Sequence, residues 1–358
     1  MSTFERKMKI LGGILNLFRR SSRISPDRLD FAQTKNIVVI NNKRLGDFLF
    51  CTPAIRALKD ANPAVKIMAV ISPKNKGLIA DCPYIDSVMY MEESVFSSIK
   101  IGCLLRKYRP ELGIIFHSKN PYGFIVLTCA GVYCLLKHYF GNEKKVLLSV
   151  CDASVIGGRF PPVKNNLELV GTLGVRITGK DMFYPSPVGP KSGSGKSVGI
   201  QLGASGVGRY FPTETAAIVV EEIARKNPEY TFHLFGNPAE RHLSTDFFRH
   251  LDEEFKSNVV DHIGKTSLQE LAERINNVAV LITPDTGCLH IATALRTKTV
   301  GLFLAKQPNA SIPQQDAELH QVLYAADYSG GTLETASKSK LSTIPAEDIV
   351  KMVARALS

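Results

Sequence analysis

Residues 278–295 read VAVLITPDTGCLHIATAL, and few arrangements satisfy that order of residues. The short, β-branched run Val278–Ile282 predicts a strand covered on both faces, as in a parallel sheet. Thr283, Pro284 and Asp285 break it. From Cys288 onward, Ile291, Ala292 and Leu295 fall at helical spacing. Asp285 or Thr286 would cap the first turn, and Gly287 would let the backbone approach whatever sits above it. A helix that opens from the carboxyl end of a parallel strand presents bare N–H groups and the positive end of its dipole, a ready seat for a phosphate. An ordinary capped turn has the same local pattern, so the rest of the chain must decide.

The same strand–helix alternation runs through two stretches. In the first, Asn36–Ile40, Ala64–Ile71, Ser87–Tyr90 and Leu112–Phe116 predict strands. A helix opening at Thr52-Pro53, as N-cap and N1, and another over Ile99–Tyr108 fall between them. In the second, Ser197–Leu202, Tyr230–Phe235, Val259–Asp261 and Thr299–Phe303 predict strands. Thr213–Lys226 (N-cap Thr213), Pro238–Leu251, Leu268–Ile275 and Ala346–Ala356 predict helices. Such alternation with short loops predicts an α/β protein of doubly wound parallel sheets. Between the two lies YPSPVGPKSGSGKS, without periodicity, which reads as a linker. Its GSGKS end is no phosphate-binding P-loop, because Pro190 stands where that motif needs glycine and a strand follows it. The expected domains are 36–184 and 198–358, joined by residues 185–197 and preceded by an extension over 1–35.

With 358 residues, about two domains are expected. A net charge of +11 favours anionic partners. No aromatic-and-basic RNA signature or zinc-finger spacing accompanies it, so nucleic acid is not expected. The seven cysteines are odd in number, scattered and without a C-x-x-C pair, as suits reduced thiols in a cytoplasm. No apolar run reaches the ~20 residues of a membrane span; Phe124–Leu136, the nearest, reads as a buried helix. In the extension, Ile10, Leu11, Ile14, Leu15 and Phe18 recur at helical spacing among Lys7, Lys9, Arg19, Arg20 and Arg23. That pattern suits a basic amphipathic helix on an anionic membrane face, or a packed or disordered extension.

Doubly wound sheets bind ligands beyond the carboxyl ends of their strands, and the candidates collect there. Gly203 to Gly208 with Arg209, and Ser205 within it, offers backbone N–H groups beside a permanent cation. Glu240 follows another strand, where it would hold a ribose diol or merely favour a helix start. Asp285, Thr286, Gly287 and His290 form the turn described above. In the first half, Asp47 follows the first strand and suits either a general base that takes a proton from an attacking hydroxyl or an ordinary N-cap or turn aspartate. Lys43, Arg44 and His117 are candidates for holding an anionic acceptor, though Lys43 and Arg44 would equally suit a merely solvated loop.

Together these pieces resemble a known family. RLGDFLFCTP at 44–53, GASGVGRYFP at 203–212, FGNPAER at 235–241, HIGKTSLQEL at 262–271 and PDTGCLHIATAL at 284–295 are similar, in order, to motifs of the ADP-heptose:lipopolysaccharide heptosyltransferases, glycosyltransferase family 9. The resemblance covers roughly residues 36–305. It implies the GT-B fold, two Rossmann-like domains facing across a cleft, with the nucleotide-sugar donor on the second and the acceptor on the first. It makes Asp47 the catalytic base of an inverting transfer and Arg209 a contact of the donor phosphates. It places Glu240 at the ribose and Asp285, Thr286, Gly287 and His290 on the donor-binding turn. No metal or cofactor is implied. Three departures stand out: Arg209 where the family usually has lysine, Phe211 where it has tryptophan, and LAKQPNAS after Phe303 where a G-P-T-type loop is common.

The leading expectation is therefore a glycosyltransferase that moves a sugar, heptose from ADP-heptose, onto a lipopolysaccharide core or related lipid-linked saccharide. It would be cytoplasmic and peripheral to the inner membrane face. A sugar-nucleotide epimerase of the same architecture and a non-catalytic nucleotide-sugar-binding relative are the alternatives. A nicotinamide dehydrogenase is disfavoured, since no G-x-G-x-x-G follows the first strand.

Overall fold

The computed structural model describes residues 3–19, 23–139, 145–192, 195–306, 311–329 and 340–358. Arg20, residues 193–194 of the GSGKS segment and residues 307–310 of LAKQPNAS lie outside the described residues. The chain divides into two compact units, Met1–Pro187 and Val188–Ser358.

Among the described residues, the first unit holds six parallel strands: β1 (Asn36–Asn41), β2 (Lys66–Ile71), β3 (Ser87–Tyr90), β4 (Leu112–His117), β5 (Cys134–Tyr139) and β6 (Ala153–Ile156). Their order is β3-β2-β1-β4-β5-β6, so strand addition reverses direction between β1 and β4. β1, the run NIVVIN, is buried on both faces because helices cover both. Its register pairs Val39 with Ala69 on one side and Ile114 on the other. The helices are α1 (Thr3–Arg19), α2 (Leu45–Leu49), α3 (Thr52–Ala61), α4 (Val95–Arg106), α5 (Tyr122–Ala130) and α6 (Pro162–Gly171). α3 packs on α6, whereas α4 and α1 both pack on α5. Leu15 of α1, Ile101 and Leu105 of α4, and Phe124 to Leu127 of α5 share one apolar core with Val38 and Ile40. α1 is locked in place further by Arg19, whose buried guanidinium meets Asp152 at 2.6 Å and donates to the Val150 carbonyl.

The second unit repeats the plan with β7 (Ser197–Gln201), β8 (Thr231–Phe235), β9 (Val259–Asp261), β10 (Val280–Pro284), β11 (Lys298–Phe303) and β12 (His320–Tyr324), ordered β12-β11-β10-β7-β8-β9. The reversal here falls between β10 and β7. Among the described residues, five helices surround the sheet: α7 (Thr213–Lys226), α8 (Arg241–His250), α9 (Leu268–Asn277), α10 (Gly287–Ala294) and α11 (Ala346–Leu357). α7 turns Ala216, Ala217, Val220, Ile223 and Ala224 inward, the spacing of a helix that buries one face. Ser267 and Glu270 cap α9 reciprocally, side chain to backbone in both directions.

Several local readings differ from the structure. Phe124–Leu136 is not one helix: Gly131 takes a left-handed conformation (φ 77°), ends α5, and releases the chain into β5. The sequence pattern does not mark the strands β5, β6 and β12. Thr52 and Thr213 stand inside their helices, and Cys51 and Pro212 are the N-caps. The Thr213 hydroxyl instead donates to Asp246 at 2.5 Å.

Candidate functional site

A parallel sheet leaves a crevice where its strand order reverses, because the loops after the two central strands leave in opposite directions. In the first unit that point lies beyond β1 and β4, and both strands deliver a candidate there. After Asn41 the chain turns through Lys43 and Arg44 into α2, where Asp47 occupies the first turn. The Asp47 carboxylate accepts from the Arg44 N–H at 3.2 Å, closing a capping box that fixes its backbone. The Asn41 side-chain amide donates to the Asp47 carbonyl at 2.7 Å. His117, the last residue of β4, brings Nδ1 to 3.2 Å from Asp47 Oδ1, both side chains partly open to solvent. Asp47 and His117 thus form a pair aimed out of the sheet's carboxyl edge. Lys43 lies 3.8 Å from Glu93, whereas Arg44 is the N-cap of α2.

In the second unit the reversal lies beyond β10 and β7, with β8 next to β7. The loops after these three strands carry all the donor candidates. Arg209 closes the turn after β7 and reaches Asp285, at the end of β10, with Nη2 at 2.6 Å from Oδ2 and 3.2 Å from the carbonyl. Its Nη1 lies 3.2 Å from Ser205 Oγ. Asp285 Oδ1 accepts from Ser311 at 2.7 Å and lies 3.7 Å from His290 Nε2. Thr286 is the N-cap of α10, but its hydroxyl meets Thr283 at 3.1 Å and not the helix N–H groups. The first amides of α10, from Gly287 on, therefore keep no side-chain cap. His290, 5% exposed, sits one turn into the helix.

Glu240 is held apart from this cluster and is 7% exposed. Its Oε2 accepts from the Asn237 N–H and from Gln201 Nε2, each at 3.1 Å. A Cβ on Gly203 would lie 2.1 Å from the Glu240 carboxyl carbon, and one on Gly236 would lie 2.6 Å from Oε2. Gly203 therefore serves to seat a carboxylate, a role the glycine-rich pattern alone did not reveal. Gln201 and Cys288 complete the arrangement and escaped the sequence reading. Burial, and then the neighbouring Glu240 charge, pushes the Cys288 thiol up to about 12, so it stays protonated. It donates to Gln201 Oε1 at 3.2 Å, which orients the Gln201 amide so that its N–H groups face Glu240. A polar residue ending a buried strand was the available signal. Among the described residues no three His, Cys, Asp or Glu side chains gather as metal ligands.

Comparison with known proteins places these loops in context. Residues 185–326 match the model of glycosyltransferase family 9 (heptosyltransferase). Over 87 residues the chain is 30% identical to the lipooligosaccharide heptosyltransferase 2 of Haemophilus influenzae, 24% of this chain and 25% of that protein. The match spans about a quarter of that relative's length. Among solved structures, a glycosyl transferase family 9 protein from Veillonella parvula superposes with a TM-score of 0.77 at 18% identity, over 92% of this chain and 98% of that one. The E. coli ADP-heptose lps heptosyltransferase II gives 0.74 at 17% identity, over 90% and 98%. At such identities the likeness speaks for the fold, the GT-B pairing of two Rossmann-like α/β units.

Proposed function

We propose, from the glycosyltransferase family 9 (heptosyltransferase) domain at residues 185–326, that this protein is an inverting glycosyltransferase that takes its sugar from a nucleoside diphosphate donor. ADP-heptose is the donor named for the E. coli neighbour, and it is the donor we assign here. The acceptor is a lipopolysaccharide core or related lipid-linked saccharide, met at the cytoplasmic face of the inner membrane.

The observation that carries this reading is the cluster Arg209–Asp285–α10. A diphosphate needs cationic and N–H donors, and it tolerates a carboxylate only where that charge is already paired. Arg209 pairs Asp285 and keeps further N–H groups, and the first amides of α10, which begins two residues after Asp285, carry no side-chain cap. Arg209 and the Thr286–Gly287 turn would stabilise the charge that grows on the leaving diphosphate. Glu240, anchored through Oε2, keeps Oε1 for a ribose hydroxyl. Asp47 would take the proton from the acceptor hydroxyl as its oxygen attacks the anomeric carbon. The bond from that carbon to the diphosphate breaks, ADP leaves, and configuration inverts. His117 would hold the Asp47 carboxylate at the required angle, and Lys43 and Arg44 would draw in an anionic acceptor.

Asp47→Asn tests the chemical step. Turnover should fall ~10²–10⁴-fold, the contribution of a general base, while ADP affinity stays unchanged. Full activity in that variant would remove Asp47 from the mechanism.

A further inference from the structure

Fifteen large apolar side chains are exposed among the described residues, and they are not scattered. The second unit contributes Ile218, Val260 and Tyr328, while α1 and α4 together carry Ile10, Ile14, Leu17, Phe18, Phe96 and Ile99 among others. Phe18 is 76% and Phe96 79% exposed. Single exposed apolar residues need no explanation, but a cluster does. The apolar stripe of α1 divides in two: Leu15 enters the core, whereas Ile10, Ile14 and Leu17, spaced i, i+4, i+7, face out. α4 does the same, with Ile101 and Leu105 inward and Phe96 and Ile99 outward. Both helices flank α5 and feed one core on the same face of the sheet, so their outer sides turn away from the sheet together.

The charge on these helices is predominantly positive. Arg6, Lys7 and Lys9 on α1 and Lys100 and Arg106 on α4 are exposed, with Lys107 just after it. Against them stands Glu5 alone within the two helices. Glu93, before α4, is engaged by Lys43 and Lys119. A second copy of the chain would bring the same cations against themselves. Apolar side chains ringed by lysine and arginine fit a bilayer with anionic headgroups, which offers acyl chains to the one and phosphates to the other.

We infer that the outer faces of α1 and α4 form one docking surface for an anionic phospholipid bilayer. This rests on the reading of a lipid-linked acceptor, which the surface would hold at the membrane. The test is flotation of the full chain with vesicles of phosphatidylglycerol and phosphatidylethanolamine, against vesicles of phosphatidylcholine. The wild type should float with the anionic vesicles only, and less at high salt. Leu17→Ser/Phe18→Ser and Phe96→Ser/Ile99→Ser should each weaken partitioning by about tenfold or more, with melting temperature and ADP affinity unchanged because the side chains are exposed. Three results would overturn the inference: no flotation of the wild type, both variants floating like the wild type, or a dimer that the substitutions dissolve. Loss of ADP binding with flotation intact would instead strike the glycosyltransferase reading.

Discussion

Glu240 shows how closely this fold ties one side chain to its neighbours. A carboxylate this enclosed survives only if its hydrogen bonds are supplied, and the Asn237 amide and Gln201 supply them. The space it needs comes from Gly203. Gly203→Ala places a methyl group 2.1 Å from the carboxyl carbon, so either the loop or Glu240 must move. Overpacking of this kind costs about 1–3 kcal/mol, and the same displacement should weaken nucleotide binding. A thermal melt and an ADP titration of the variant check both effects; an unchanged melting temperature would contradict the account. The glycines at 203–208 were legible in the sequence as a backbone that approaches something. That the neighbour of Gly203 is a buried carboxylate was not, because Gln201 and Glu240 lie 39 residues apart and meet only through β7 and β8.

Among the elements, long periodic segments were the most readable. α7 and α11 have apolar faces that only a helix explains, and β1 and β10 are short runs that only a doubly covered strand explains. Phe124–Leu136 misled because its residues are apolar throughout, so neither helical nor strand periodicity marks the break at Gly131. Asp47 and His117 were nominated separately; their pairing follows from β1 and β4 being neighbours, which strand order alone decides. Strand pairing has a further consequence in β8. His233 Nδ1 lies 3.0 Å from His262 Nε2, and a bond between two ring nitrogens needs one of them unprotonated. Burial, then Arg274 and His233, pushes His262 down to about 4 from 6.5; burial and Arg274 also lower His233. Burial pushes His320 down to about 4 as well. The His262 and His320 rings are neutral in the folded chain above about 4, while the unfolded chain takes up their protons near 6.5. The stability these rings contribute is therefore fully present above about pH 7 and is lost as pH falls from 6.5 towards 4. A loss of only 1 kcal/mol lowers the melting temperature by ~2–4 °C in a unit of this size. Melts at pH 7.5 and pH 5 should differ in that direction by at least that much, and His262→Asn should narrow the gap. Equal melting temperatures would contradict the assignment.

At the scale of the molecule, each unit is a parallel α/β sheet whose strand order reverses at the point where its candidate residues gather. The general rule for such sheets thus locates both groups before any comparison is made. No helix among the described residues is long and apolar enough to cross a membrane. The claim on which the rest depends is that the second unit binds a nucleoside diphosphate through Arg209 and the turn at Asp285–Gly287. The most direct measurement is calorimetric titration of the full chain with ADP, UDP and GDP, repeated on Arg209→Ala. The account predicts ADP binding in preference to the others. It also predicts a loss of ~10–100-fold in the variant, the worth of a hydrogen bond to a charged group. An ADP dissociation constant unchanged by Arg209→Ala would remove Arg209 from the phosphate site, and no binding of any nucleotide by the wild type would contradict the claim itself.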